Sequence, residues 1–287
     1  MTAAPRVVLL TAAGIGDHDR DLRPLAQALA DLGAVPAVRE WDDPALGDLP
    51  ADLAVIRSTW DYSGRLDEYL AVLDALPFPV VNRLPVVRWN ARKTYLAGLA
   101  AAGVPVVPTT VVPAGPDPVL PDVDADRVVV KPSVSAGGRG VGLFPAGSPA
   151  ALEHLRTLAA DRDVLVQPFL PDVALGERSL VFLDGRYSHA VRKVPADGGY
   201  LVQERHGGTT GPHRPTDDER AVADAALARV PGGADDLLYA RVDLVGPGPA
   251  PLLMELELIE PGLFLGHAPG GAAALARAAL DRITDGL

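Results

Sequence analysis

The chain has no cysteine, which excludes disulfides, a thiol nucleophile and any cysteine-ligated zinc site. It also lacks an excess of positive charge: 26 lysines and arginines stand against 37 aspartates and glutamates, for a net charge of −11. No basic run offsets that total, so the electrostatic footprint of a nucleic-acid binder is missing and a phosphate polymer is not an expected partner. No stretch of about 18 apolar residues runs uninterrupted, and the apolar run at residues 7–10 is too short for a signal core. A soluble cytoplasmic protein with no membrane partner is therefore expected. Internal repeats and long low-complexity tracts are absent as well.

What remains is enough for a folded molecule. At 287 residues and 48% hydrophobic content, the chain has room for roughly two domains with substantial cores. Residues 7–10, 35–38 and 53–56 read as strands. Between and after them, Leu22, Leu25, Ala26 and Leu29, then Leu66, Tyr69, Leu70, Leu73 and Leu76, recur at helical spacing. Such alternation predicts an open parallel sheet covered on both faces, an N-terminal α/β domain over residues 1–88. The character changes near residues 82–90. From Ala91 a helix is expected to carry Tyr95, Leu96 and Leu99, and residues 113–121, with four prolines, read as a surface loop. The second half, residues 89–287, has strands paired as hairpins. One of these crosses Asp184-Gly185, a type I′ turn signal, so an antiparallel α+β arrangement is expected, divided at residues 89–165 and 166–287.

Two stretches carry chemistry. Lys131-Pro132 ends the apolar run at residues 128–130, a glycine-rich loop with Ser135, Gly137, Gly138 and Gly140 follows, and a second short apolar run begins at Val141. This is strand, loop, strand, not strand, loop, helix, and so neither a P-loop nor a dinucleotide fingerprint. Glycines let backbone N–H groups approach anionic oxygens, and Lys131 adds a point charge. The second stretch is Arg241-Val242-Asp243 followed, across a Gly/Pro turn, by Glu255-Leu256-Glu257. Residues two apart in a strand share a face, so pairing these strands gathers Asp243, Glu255 and Glu257 on one surface. Three close carboxylates call for a cation, and oxygen-only ligands suit magnesium bridging to nucleotide phosphates.

Together these stretches resemble the ATP-grasp superfamily of carboxylate-amine ligases, in which an N-terminal α/β domain precedes two α+β subdomains that hold ATP between their sheets. The resemblance implies roles residue by residue. Lys93, in Asn90-Ala91-Arg92-Lys93, and Lys131 reach the phosphates, under the mobile loop of residues 133–141. Gln167, Pro168, Phe169 and Leu170 form the adenine hinge, and Glu177 accepts the ribose hydroxyls. Arg241 is the phosphate arginine, while Asp243, Glu255 and Glu257 hold Mg2+. The family commonly ends this motif with Glu-x-Asn, whereas Glu257 stands at the asparagine position here, and whether Glu260 joins the metal is open. Gln203, His206, Gly207 and Gly208 resemble a substrate loop of glutathione synthetases, with Gln203 in place of asparagine. The runs at residues 57–62, 82–85 and 257–261 are similar to a bacterial group that includes the O-ureido-serine cyclo-ligase of cycloserine formation.

The expected enzyme is thus an ATP-dependent ligase that activates a small-molecule carboxylate as an acyl phosphate for attack by an amine-type nucleophile, in another molecule or in the same one. Arg241 and Arg192 are expected to stabilise the transferred phosphoryl group. Arg57 and Asp61, just beyond a strand's carboxyl end, are expected at the substrate. A small-molecule kinase and a nucleotide binder without turnover are the alternatives. The subunit number, monomer or homo-oligomer, is left open.

Overall fold

The computed structural model describes residues 3–197, 199, 202 and 207–286. Its N-terminal part is a parallel sheet in the order β2-β1-β3-β4, built from β1 (Arg6–Thr11), β2 (Val35–Glu40), β3 (Leu53–Ser58) and β4 (Val80–Val81). Helices α1 (Leu22–Asp31) and α2 (Leu66–Ala75) cover it. Each helix buries the apolar stripe seen in its sequence: Leu22, Leu25 and Leu29 in α1, and Leu66, Tyr69 and Leu73 in α2.

Two short helices, α3 (Leu84–Asn90) and α4 (Tyr95–Ala101), lead out of this domain. The helix expected from Ala91 is broken: Ala91 to Thr94 form a turn, and Lys93 lies in it. A four-stranded antiparallel sheet in the order β5-β8-β6-β7 follows, with β5 (Thr110–Val112), β6 (Arg127–Pro132), β7 (Gly142–Pro145) and β8 (Val164–Pro168) backed by α5 (Pro149–Ala159). The hairpin over the glycine loop is present, with Val130 opposite Gly142. Strand β8 lies wholly in this sheet, pairing Leu165 with Lys131 and Pro168 with Val128. The expected division at residue 165 therefore cuts through a strand, and the chain leaves the sheet after Pro168 instead.

The third sheet runs β11-β10-β9-β12-β13, from β9 (Glu177–Leu183), β10 (Arg186–Val194), β11 (Thr209–His213), β12 (Tyr239–Val245) and β13 (Leu252–Glu257). Asp184 and Gly185 both have positive φ, 52° and 70°, as a type I′ turn requires. One face packs Leu180, Phe182, Val242, Leu244 and Leu256 against α6 (Asp217–Leu227) and α4. The final helix, α7 (Gly271–Asp285), returns to the N-terminal domain, where Leu275 and Ala279 share a core with Leu25 and Leu29 of α1. The strand expected at residues 201–203 falls outside the described residues apart from Val202. Among the described residues, no helix is long and apolar enough to cross a membrane.

Candidate active site

The uncovered face of the third sheet carries the charges. In β12 and β13, Arg241 lies opposite Glu257 and Asp243 opposite Glu255, so these four side chains share one face. Asp243 is 2% exposed and fully engaged: Ser179 Oγ donates at 2.6 Å, Lys193 Nζ at 3.1 Å and Arg241 Nε and Nη2 each at 2.9 Å. Burial opposes its charge, but Arg241 and then Lys193 outweigh that and hold its carboxyl well below the usual range. Glu257 is ion-paired to Arg241 and Glu177 to Lys193. Burial nonetheless pushes both carboxyls up to about 7, against the pull of those cations.

Two lysines face this surface, Lys131 from β6 of the second sheet, the lid, and Lys93 from the turn before α4. Lys93 Nζ contacts Glu255 at 2.9 Å and donates to the Ser135 carbonyl at 2.7 Å, and its backbone N–H bonds the Ser133 carbonyl at 2.8 Å. One residue thus ties the acidic strand to the root of the glycine loop. Lys131 is buried and, among the described residues, makes no ion pair; burial lowers its ammonium, which Lys93 lowers further while Glu255 opposes. A buried ammonium beside another ammonium is a charge awaiting an anion. Gly137, Gly138 and Gly140 all hold positive φ, 61°, 77° and 74°. At Gly140 a Cβ would also stand 3.1 Å from the Pro132 ring. At the tip, Arg139 donates to the Trp60 carbonyl and lies 3.4 Å from Ser63 Oγ, so the loop leans on the N-terminal domain.

The segment after β13 is caged by side chains from three parts of the chain. Asn90 Oδ1 accepts from the Leu258 N–H, and Asn82 Nδ2 donates to the Leu258 carbonyl at 2.7 Å. Tyr239 holds the Ile259 carbonyl, Trp60 the Glu260 carbonyl, Arg57 the Pro261 carbonyl, Arg241 the Gly262 carbonyl and His189 the Leu263 carbonyl, all at 2.7–3.0 Å. Asp21 accepts from the N–H groups of Leu263, Phe264 and Leu265 at 2.6, 3.0 and 2.8 Å. Glu260 rides on this frame. Its carboxyl is raised to about 8, first by burial and then by Glu257.

Several expected residues stand elsewhere. Arg192 points to the opposite face and donates to the Leu175 carbonyl, and Lys193 takes the place expected for it. The cause is a register shift in β10. Across the Asp184-Gly185 turn, Arg186 pairs with Leu183 and Tyr187 with Phe182, a register that would set Arg192 beside Glu177. An extra residue at Ser188 then puts Val181 opposite His189 and Glu177 opposite Lys193, turning every later side chain over. Arg57 is 1% exposed, braces Pro261 and lies against the Tyr239 ring, so it supports the frame and does not line open space. Asp61 accepts from Trp41 Nε1 at 2.8 Å and pairs with Arg65. In the hinge, Gln167 is buried and donates to Thr109, the Phe169 N–H is already bonded to the Arg127 carbonyl, and Leu170 packs on an apolar cluster with Val107 and Val245. Gln203 and His206 lie outside the described residues. Gly208 leaves no room for a side chain, since a Cβ would stand 2.3 Å from the Val202 carbonyl oxygen. Asp243, Glu255 and Glu257 share the face, but with Asp243 engaged by cations, no three acidic or imidazole groups among the described residues stand in metal-ligand geometry.

The comparisons with known proteins name a family for this chain. Residues 104–262 match the family model for the prokaryotic glutathione synthetase ATP-grasp domain. The chain belongs to the ATP-grasp ligases. Residues 7–82 of this ATP-grasp ligase match the model for the N-terminal domain of D-cycloserine synthetase DcsG. It is 36% identical to the cycloserine biosynthesis protein DcsG of Streptomyces lavendulae, over 92% of this chain and 94% of that one. A crystal structure of D-cycloserine synthetase DcsG superposes with a TM-score of 0.84 at 32% identity, covering 97% of this chain and 99% of that one. A D-alanine–D-alanine ligase from Bacillus anthracis complexed with ATP, at 15% identity, has a TM-score of 0.74 and covers 98% of each chain; it shares the fold. The ligase is accordingly an enzyme that uses ATP to activate a carboxylate for C–N bond formation.

Three elements of the site have weak signatures in the sequence. Lys193 shows in the sequence only as the residue after Arg192, because a bulge has no reliable signature. Asn82 serves three strand-end backbone groups and Asn90 two, and an asparagine in an apolar stretch is the only trace they leave. Asp21, at the head of α1, gives no sign of reaching residues 263–265.

Proposed function

We propose that this ligase closes a ring within a single amino-acid-sized molecule, as the cycloserine in the names of the DcsG relatives suggests, with O-ureido-serine, the substrate implied by the sequence resemblance, as the molecule closed. The observation carrying this reading is that similarity to DcsG runs through the N-terminal domain as well as the nucleotide-binding part. The N-terminal domain forms the far wall of the site here, through Trp60, Tyr62 and the brace of Arg57.

In this reading ATP lies between the lid and the third sheet, with its base at residues 167–170 and its ribose toward Glu177. Its triphosphate lies among Lys93, Lys131 and the N–H groups of the loop around Ser135, Gly137, Gly138 and Gly140. Hard carboxylate oxygens gathered on one face fit magnesium, and Asp243, Glu255 and Glu257 would hold it. When bound, the ion neutralises β- and γ-phosphate oxygens. An oxygen of the substrate carboxylate attacks the γ-phosphorus, the bond to the bridging oxygen of ADP breaks, and Arg241 and Lys193 offset the charge on the moving phosphoryl group. The N–O nitrogen of the ureido-oxy group in the same molecule then attacks the acyl carbon, loses its proton and expels phosphate, which leaves an N-carbamoyl ring whose carbamoyl group is removed by water as carbamate. Arg139, holding the loop against Trp60, keeps water from the acyl phosphate.

The test is ADP release with O-ureido-serine against a panel of amino acids, product mass spectrometry, and hydroxylamine trapping of the acyl phosphate as a hydroxamate. Phosphate retained on the product would convert the reading to a kinase. ATP consumption without hydroxamate or new C–N bond would end it.

A further inference from the structure

Glu260 has no place in the phosphate chemistry, yet the fold fixes the backbone that carries it on every side. The backbone carbonyls of residues 258–263 are each held by a side chain, and three N–H groups beyond them converge on Asp21. Phe264 is held at φ 51° within this segment, a conformation that non-glycine residues keep only when their surroundings impose it. A side chain carried on such a frame is preorganised.

Its electrostatic setting is one-sided. Glu257 and Glu255 act on it as like charges, Lys93 is the nearest opposing influence, and among the described residues no cation is ion-paired with it. Trp60 of the N-terminal part donates to its backbone carbonyl, and its neighbour Ile259 packs in the core that holds Tyr62 and Tyr69. Strand β13 ends at Glu257, so Glu260 does not share the alternating face of Asp243, Glu255 and Glu257. A carboxylate set off that face, on a fixed backbone and with no cation of its own among the described residues, suits the ammonium group of an organic substrate, whereas magnesium keeps several waters and favours a wet oxygen cage.

We propose that Glu260 receives the α-ammonium group of the substrate, and so makes this enzyme select a zwitterionic amino acid over a plain carboxylic acid. The inference rests on the ligase reading above and adds the specificity residue. It orients the substrate carboxylate toward the lysines: one end of the zwitterion is held by Glu260, and the other faces Lys93 and Lys131.

The experiment compares O-ureido-serine with its deamino analogue, 3-(ureidooxy)propanoic acid, in the wild type and in Glu260→Gln, by ADP release and hydroxamate yield. The wild type should favour the amino compound roughly 10- to 100-fold in kcat/KM, the range for one charged hydrogen bond. Glu260→Gln should shrink that preference to within about 3-fold by weakening only the amino compound, with the KM for ATP and the magnesium requirement unchanged. Equal losses on both compounds would make Glu260 a structural residue and overturn the proposal, as would a raised magnesium requirement, which would place it with the metal. The same comparison of alanine with propionate keeps the test decisive if ring closure is not the chemistry. A wild type that activates no acid of either pair overturns the amino-acid substrate reading of the proposed function, and this proposal with it.

Discussion

Arg192 and Lys193 are neighbours of like charge whose side chains lie on opposite faces of one strand, and separate substitutions should have very different outcomes. Lys193 Nζ lies 3.1 Å from Asp243 and is also paired with Glu177. Lys193→Met removes the one positive charge shared by two buried carboxylates and, in the proposed reaction, a donor to the transferring phosphoryl group. Loss of one such preorganised charge costs on the order of 100-fold in rate, about 2.7 kcal/mol of transition-state stabilisation. Arg192 is exposed and holds only the Leu175 carbonyl, so Arg192→Ala should leave kcat/KM within about 2-fold and alter stability by less than about 1 kcal/mol. The assay is coupled ADP release at saturating ATP with thermal melts of both variants. A Lys193→Met enzyme within 3-fold of wild type, or an Arg192→Ala enzyme equally crippled, would show that the register shift at Ser188 does not assign these faces as described.

Three further outcomes are expected. Asn82→Ala strands the Tyr239 and Leu258 carbonyls and the Leu238 N–H, which Asn82 holds at 2.8, 2.7 and 2.8 Å; a loss of about 3–5 kcal/mol follows, seen as a Tm lowered by roughly 10 °C. The nucleotide-free enzyme should lose stability as pH rises from about 5 to 8.5, because Glu177 and Glu257 are raised to about 7 and Glu260 to about 8. Carboxyls raised on folding contribute in full below their unfolded value of about 4.3, and the contribution disappears as pH passes the folded value. Tm measured across that range should fall, and Glu257→Gln should flatten the fall; a Tm that climbs would contradict the assigned directions. Finally, Arg139→Ala loosens the glycine loop from Trp60 and Ser63, so more acyl phosphate should reach water and the ADP released per product should rise above one, by a few-fold.

Most of the architecture is legible from periodicity because apolar spacing reports burial directly. The stripes of α1 and α2, the type I′ turn at Asp184-Gly185 and the pairing of Arg241-x-Asp243 with Glu255-x-Glu257 all emerge where the chain expects them. The failures share one cause, that local pattern does not encode events decided across strands. A bulged residue at Ser188 reverses Arg192 and Lys193 without changing composition. A turn interrupts the helix expected from Ala91 and so frees Lys93 to bond Ser133 and Ser135. Arg57 looks like a ligand at a strand's carboxyl end, yet the Glu260-Pro261-Gly262 segment covers it from more than 200 residues away.

That long-range cover also bears on why the two halves of the chain belong together. Asp21, Arg57, Trp60 and Asn82 come from the N-terminal part, and all four bond the segment that carries Glu260. In the other direction, the single hydroxyl proton of Tyr239 in the third sheet is shared between the Ile56 and Ile259 carbonyls, at 2.6 and 2.7 Å, and α7 shares its core with α1. An N-terminal domain that only delivered substrate would need none of these bonds, since a hinged wall can close over a finished site. Here the wall is part of the floor: a substitution of Asn82 or Trp60 moves the frame under Glu260 and, through Arg241 on the Gly262 carbonyl, reaches the phosphate side as well. Changes in the N-terminal domain should therefore shift amino-substrate KM and kcat together, while changes at residues 167–170 should shift ATP KM alone. A Trp60→Phe enzyme altered only in ATP KM would contradict that coupling.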